Sequence, residues 1–283
     1  DGGFPINGLQ TVDFKHHIRG WLKGINLDNA GNAVPSNNQG DMFSYKLDYE
    51  TGGFYDGNIG KQSWNNIQGL RSFIFQYDPS NRLKNATFTG LNQENYSLED
   101  LEYDANGNIL KLNRKGLKNS GYGQIDSLSY TYSGNRLQKV DDAISSSFGE
   151  DFKDSVATID YEYYSNGNLK KDKNESIENI IYNTYLNQPI EIQLKDGRKI
   201  KNRYDGAGDL IETSYFSATD SLLERWTYVG NMIYKNGEKY QINIPDGRVV
   251  FDTTGSHFEF NYTDHLGNVR LGFRDNNGRL EKV

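Results

Sequence analysis

A chain of 283 residues with 38 acidic and 31 basic side chains carries a formal charge of -7, which argues against a nucleic-acid partner, as does the absence of a basic cluster denser than residues 195–203. Only 35% of it is hydrophobic and no cysteine is present, so a disulfide scaffold and cysteine-ligated zinc are excluded, and no run approaches the ~18 apolar residues of a membrane-spanning helix. A mean hydropathy of -0.80 leans toward disorder, but 20 tyrosines, 14 phenylalanines and 30 glycines point instead to a folded, turn-rich sheet with little core and a tyrosine-rich buried face.

The opening DGGFPING lacks a basic segment followed by an apolar one, so it reads as a start within a longer protein or after processing, not as a signal peptide. Residues 1–41 form a pre-repeat segment of weak periodicity, with a short strand expected over 18–22, a turn over 28–32 and a polar loop over 35–41. Residues 42–255 are regular. Over 43–49 the chain alternates, placing Phe43, Tyr45, Leu47 and Tyr49 on one face, the period of a strand. No long amphipathic helix is found; residues 11–22 and 176–181 come nearest.

One pattern recurs through this region. Tyr77, Tyr103, Tyr163 and Tyr204 each precede a polar, turn-forming run, and an aliphatic residue (Leu83, Ile109, Leu169, Leu210) stands six positions after each. With 105–107 as a three-residue loop, Asp104 pairs with Asn108 and Tyr103 faces Ile109. Such loops end in a residue at positive φ, the place held by Gly107, Gly167 and Gly208 and, in the copy at 79–81, by Asn81. Each tyrosine–aliphatic pair contributes roughly 0.2–1 kcal/mol. A further copy shortens the loop to Gly134-Asn135 and sets Tyr132 opposite Leu137. Asp196-Gly197, Asn236-Gly237, Asp246-Gly247 and Asn277-Gly278 are additional hairpin signals. Uneven spacing between copies suits a ribbon of hairpins better than a solenoid with fixed rungs. In the last segment, 256–283, Phe258, Phe260 and Tyr262 alternate with polar residues, a Gly267-Asn268 turn follows, and 269–273 returns as a strand.

Tyr103-Asp104-Ala105-Asn106-Gly107-Asn108-Ile109 and Tyr204-Asp205-Gly206-Ala207-Gly208-Asp209-Leu210 resemble the tyrosine-aspartate (YD) repeat of the Rhs family, with Tyr77 and Tyr132 opening degenerate copies. Asp264-His265-Leu266-Gly267-Asn268-Val269-Arg270 resembles the signature of the Rhs-associated core, and residues 19–26 are similar to the segment before the repeats in Bacteroidota members. The resemblance covers roughly residues 18–275. It implies an all-β strip of antiparallel hairpins curling into part of a hollow shell, which in bacteria commonly encloses a C-terminal toxin. Some relatives act as adhesins or bind glycans. The self-cleaving aspartate segment that normally follows the signature is not found in residues 271–283, so neither autoproteolysis nor a toxin can be placed on this chain.

Other residues invite chemistry and are better read otherwise. His16-His17 would point to opposite faces of a strand, which suits one metal ion poorly. Asp264-His265, with Ser256 nearby, resembles part of an acid–base site, but aspartate at a turn usually bonds to backbone. Glu99-Asp100 and Asp141-Asp142 are expected as exposed loop acids. Gly-Tyr-Gly at 121–123 and Gly-Ala-Gly at 206–208 lack the strand-to-helix setting of a phosphate loop. The tyrosines read as a stacking ladder within the sheet; an alternative is a sugar platform, for which Trp21, Trp64 and Trp226 are the candidates. The expectation is therefore a non-enzymatic, secreted or cell-surface shell segment without cofactor or metal. Its partners would be the rest of the same or an associated Rhs protein, an enclosed cargo, or a secretion or surface complex, with glycans as the alternative ligand.

Overall fold

The computed structural model describes residues 11–34, 41–119, 121–144, 151–155, 157–276 and 279–283, and every regular element in them is a β-strand. The Asn277-Gly278 turn and most of the expected 35–41 loop lie outside the described residues. The first sheet holds ten strands: β1 (Phe14–His16), β2 (Leu22–Ile25), β3 (Phe43–Asp48), β4 (Lys61–Asn66), β5 (Gly69–Tyr77), β6 (Leu83–Thr89), β7 (Leu98–Tyr103), β8 (Ile109–Lys118), β9 (Gly121–Ser133) and β10 (Arg136–Asp142). The second holds thirteen: β11 (Tyr161–Tyr163), β12 (Leu169–Asp172), β13 (Ile177–Tyr182), β14 (Pro189–Leu194), β15 (Lys199–Tyr204), β16 (Leu210–Phe216), β17 (Leu222–Val229), β18 (Met232–Lys235), β19 (Glu238–Ile244), β20 (Gly247–Asp252), β21 (Gly255–Thr263), β22 (Val269–Asn276) and β23 (Arg279–Lys282). In both sheets spatial order equals chain order, so each strand pairs with the next by a hairpin and no crossover connection is needed. The fold is the all-β strip of consecutive antiparallel hairpins that the repeats imply.

By contacts the chain divides into two compact units. One is Asp1–Thr131 with Val140–Phe152 and Thr263–Asn268; the other is Tyr132–Lys139 with Lys153–Tyr262 and Val269–Val283. In the first, β3 is the centre: Phe43, Tyr45 and Leu47 alternate on one face, and Ser44 on the other is equally buried, so both faces of this strand are covered. Across the neighbouring strands runs an aromatic chain. Trp64 lies 5.8 Å from Phe73 and 6.1 Å from Phe88, and Phe88 meets Tyr96 edge-on at 5.3 Å. In the second unit the registers place Ile180, Ile192, Ile200 and Tyr215 in one cross-strand row, and Glu191, Lys201, Ser214 and Arg225 in the adjacent row on the opposite face. The sheet is thus apolar on one side and charged on the other, with few side chains fully enclosed.

The register is the one the tyrosine spacing specifies. Tyr77 pairs with Leu83, Tyr103 with Ile109, Tyr163 with Leu169 and Tyr204 with Leu210. Each pair sits at a register shift, because the three-residue loop leaves an extra residue on one strand, the geometry of a bulge. Three expectations shift. The strand expected over 18–22 begins only at Leu22: residues 18–20 are the same kind of loop, with Ile18 96% exposed and Gly20 at φ +79, and His16 pairs with Leu22 across it. The final turn is not the pair Gly267-Asn268: Asp264 donates to the Asn268 carbonyl, so the loop is 265–267. The Asp246-Gly247 turn falls one residue earlier, since Ile244 already pairs with Gly247. There a Cβ would sit 2.0 Å from the Glu259 carbonyl oxygen, so the glycine serves close strand approach.

Candidate functional site

The residues singled out by the repeat form one device, built in two parts. The first is the loop. Its mark is a pair of backbone bonds, the first residue's amide to the fifth residue's carbonyl and the fourth residue's amide back to the first's carbonyl. Among the described residues nine loops have both bonds, opening at His17, Asp28, Asp78, Asp104, Tyr164, Leu194, Asp205, Ser217 and Asp264. The fourth residue is always at positive φ: Gly20, Gly31, Asn81, Gly107, Gly167, Gly197, Gly208, Asp220 and Gly267. The opening aspartate of the Tyr-Asp pair has a specific task. Asp104 Oδ1 accepts from the amides of Asn106 and Asn108 at 2.9 and 2.8 Å, and Asp205 Oδ1 from Ala207 and Asp209, both at 2.9 Å. Asp264 does the same for Leu266 and Asn268, both at 3.0 Å. Ser217 substitutes its hydroxyl, accepting from Thr219 and Ser221. At two loops the bonds favour the ionised form: the Asn108 side chain, followed by loop amides, holds Asp104 below the usual carboxylate range, and the Arg82 amide and guanidinium do so for Asp78.

The second part ties one hairpin to the one before it. Tyr103 donates its hydroxyl hydrogen to the Leu83 carbonyl at 2.7 Å, Tyr163 to Leu137 at 2.9 Å, Tyr182 to Leu169 at 2.9 Å and Tyr204 to Pro189 at 3.1 Å. In each case the acceptor is the aliphatic position opposite the preceding hairpin's own tyrosine, or its equivalent. Tyr77 reaches Ile59 at 2.9 Å and Tyr49 reaches Leu22 at 2.8 Å in the same sense. The tyrosines therefore form a ladder, as expected, but through hydroxyls to backbone and not by ring stacking on one another. Burial pushes Tyr77, Tyr103, Tyr163 and Tyr182 up from the ordinary phenol value. Arg82 spans two loops, donating to Asp78 Oδ2 at 2.7 Å and the Asp104 carbonyl at 3.0 Å while lying 4.6 Å over the Tyr103 ring. At the shortened copy, Gly134 has φ +61 between β9 and β10, with Tyr132 one residue before the end of β9.

Sequence reasoning missed some members of this set because it searched for Tyr plus six. Tyr182 faces Pro189 across a four-residue loop in which Asn183 Oδ1 accepts from Tyr185 and Leu186. Phe216 faces Leu222 across the Ser217 loop, a copy with phenylalanine where the others have tyrosine. An opening Asp or Ser with Gly, Asn or Asp three residues on would have found six of the nine loops, though not those opening at His17, Tyr164 and Leu194.

The remaining candidates separate. Trp21 lies just before β2, Trp64 on β4 and Trp226 on β17, all half-buried. Trp21 stacks on His17 at 5.6 Å and Tyr49 at 5.2 Å, and Trp226 meets Tyr240 edge-on at 4.9 Å with Lys235 Nζ 4.8 Å over its ring. His16 ends β1, whereas His17 opens a loop and its Nδ1 accepts from the Arg19 amide at 3.2 Å. Asp264 is occupied by its own loop, and His265 Nδ1 lies 3.2 Å from the hydroxyl of the fully buried Tyr45. Arg270 is the second residue of the returning strand β22. Glu99 pairs with Lys115 at 2.7 Å. Asp142 belongs to a group of three, its carboxylate within 4.8 Å of those of Asp126 and Asp151. Arg114 pairs with Asp126, which also accepts from the Phe152 amide, and Asp142 accepts from the amides of Ser127 and Ile144.

No family model matches the chain, and no curated protein does. Among solved structures it is similar to a crystal structure of TcdB2-TccC3-Cdc42 at 10% identity and a TM-score of 0.32, over 93% of this chain and 15% of that one. It is also similar to a mutant Tc holotoxin pore from Photorhabdus luminescens at 10% identity and a TM-score of 0.34, over 96% and 18%. A crystal structure of TcdB2-TccC3 gives 10% identity and a TM-score of 0.31, over 94% and 18%. The chain spans less than a fifth of the length of these Tc toxin chains.

Proposed function

We propose that this chain is a non-enzymatic structural segment of a secreted or cell-surface protein of Rhs type, part of a β-shell that encloses, carries or presents another polypeptide. The observation that carries the reading is the hydroxyl-to-carbonyl ladder, which at six tyrosines between Tyr49 and Tyr204 fastens a hairpin to chain before it and so extends a thin sheet without requiring a deep core. Such a sheet leaves apolar rows half open, as at Ile192, Ile200 and Tyr215, and, among the described residues, strands paired on one side alone, as at β1, where Phe14 is 59% exposed. Both invite cover by more polypeptide. The partner would be further sequence of the same protein, an associated Rhs chain or an enclosed cargo.

Light scattering of residues 1–283 over a dilution series tests this. Concentration-dependent association, relieved by co-expression with flanking sequence, is the expected result. A monodisperse monomer at every concentration, with one cooperative melt, would replace the reading with that of a complete, self-sufficient domain.

A further inference from the structure

Two tyrosines outside the ladder meet hydroxyl to hydroxyl. Tyr96 stands two residues before β7, and Tyr122 is the second residue of β9. The strand between them, β8, brings them together: Lys115 donates its amide to the Ser97 carbonyl at 2.9 Å, and Leu117 pairs with Tyr122. The two rings lie 5.3 Å apart at 77°, and their oxygens lie 3.3 Å apart. We propose that this pair is a site of oxidative cross-linking, at which a one-electron oxidant, such as a peroxidase acting with hydrogen peroxide, joins the rings as dityrosine.

Geometry selects the pair. A tyrosyl radical carries its unpaired electron on the oxygen and on the ring carbons ortho to it, so rings that meet through their oxygens also bring their coupling positions together. The contact between Tyr164 and Tyr182, 6.1 Å apart, lacks this, because their hydroxyls donate to separate carbonyls, those of Ile180 and Leu169. Tyr96 is 38% exposed and Tyr122 half-buried, so an oxidant has access. The pair is also held before reaction. Phe88 meets Tyr96 edge-on at 5.3 Å, and Arg71 grips Glu94, two residues earlier, with bonds of 2.6 and 2.7 Å. Such positioning replaces a chance encounter by a contact already made. In the reaction each ring gives up one electron and its hydroxyl proton. The two radicals form one carbon–carbon bond between ortho carbons, and the hydrogens on those carbons move to the phenolic oxygens, restoring both rings. In sum the pair loses two electrons and two protons, and hydrogen peroxide takes them up to become two waters.

The cross-link does not depend on the shell reading, since it concerns two side chains in one unit, and its test is separate from light scattering. The 283-residue chain would be treated with peroxidase and hydrogen peroxide at several dilutions, then followed by dityrosine fluorescence and by mass spectrometry of a digest. The expected product is a monomer lighter by two hydrogens, with a peptide pair joined through Tyr96 and Tyr122 in a yield that dilution does not lower. Peptide mapping of the parent needs no variant to fold. Tyr96→Phe and Tyr122→Phe should each abolish that peptide pair and most of the monomer's fluorescence, while Tyr164→Phe should leave both. The cross-linked monomer should also melt higher than the untreated chain, because a closed ring of residues 96–122 restricts the unfolded state as a disulfide does. The proposal falls if the parent gives no peptide joining Tyr96 to Tyr122, or if Tyr164 and Tyr182 are joined as readily. It falls too if the product is chiefly a dimer through Tyr185, which is 95% exposed, or if the phenylalanine variants at 96 and 122 keep the parent's monomer fluorescence.

Discussion

The two sheets are made of the same hairpins and are held together differently. Every apolar side chain less than 2% exposed among the described residues (Ile25, Phe43, Tyr45, Leu47, Ile125 and Val140) lies in the first sheet. Among the described residues the second sheet has buried apolar groups at Ile180, Tyr262, Leu271 and Phe273. Both sheets carry ion pairs: the first has Arg71–Glu94 and Lys115–Glu99 among others, and the second has Lys171–Glu178, Lys199–Asp220, Lys201–Glu191, Lys235–Glu224 and Arg248–Glu259, all within 3.5 Å. Glu212 bridges Arg203 at 3.2 Å and Arg225 at 3.8 Å. Exposed pairs of this kind are worth little singly. The comparison teaches that backbone ladder, loop geometry and tyrosine hydroxyls suffice to keep such a strip in register, and that a core is an addition made in one place.

The sharpest way to break the contrast is in the core. Phe43→Ala should destabilise the first sheet by about 3–5 kcal/mol, the range for truncating a buried aromatic. Ile192→Ala, half-buried in the second, should have less than half that effect. Urea unfolding with probes in each sheet measures both, and equal losses would dissolve the distinction. Next come the loops, where the sheets should behave alike. Gly107→Val and Gly208→Val put a β-branched residue at φ +89 and +93. Each should lose about 1–3 kcal/mol. No atom lies within 4 Å of a Cβ at Gly107, so the penalty there is backbone strain and not collision.

These loops are also what the sequence disclosed most fully. Tyr103, Asp104, Gly107 and Ile109 hold a turn type, a register and a face within seven residues, because all three are local consequences of φ and of period two. His17-Ile18-Arg19-Gly20-Trp21 forms the same loop but was obscured by Ile18 and Trp21, whose β-propensity suggests a strand. The acceptors of Tyr49 and Tyr182 were not legible at all: Leu22 lies 27 residues away and Leu169 lies 13 away, and only the pairing of successive hairpins brings them near. For the same reason the sequence offered Trp21 as a surface platform, whereas its ring is taken up by His17 and Tyr49, contacts that depend on how the loop after β1 folds back.

The ladder gives the third test. Tyr103→Phe and Tyr163→Phe, one in each sheet region, should each lose about 0.5–1.5 kcal/mol, a net hydrogen bond, and the loss should be similar in both because the acceptor is backbone in both. The same hydroxyls set an alkaline limit. Burial raises Tyr77, Tyr103, Tyr163 and Tyr182 above the ordinary value of 10.0. The unfolded chain therefore releases these protons first. Their contribution is whole below pH 10.0 and is lost as pH rises through the higher folded values. Chemical unfolding in this alkaline range should show the decline, and the phenylalanine variants should flatten it. The smallest effect is expected on the charged face. Arg203→Ala, whose side chain is 67% exposed, should change stability by at most ~1 kcal/mol and less at high salt. A larger loss would mean that the ion pairs act as a network and that the second sheet has a substitute for a core.

The ladder also has a direction. In every rung the acceptor precedes the donor in the chain: Leu22 before Tyr49, Ile59 before Tyr77, Leu83 before Tyr103, Leu137 before Tyr163, Leu169 before Tyr182 and Pro189 before Tyr204. In these six rungs the anchoring carbonyl is synthesised before the tyrosine that uses it, whereas Tyr164 donates forward, to the Ile180 carbonyl at 2.9 Å. Because that anchor is a main-chain oxygen, it asks nothing of the residue that bears it.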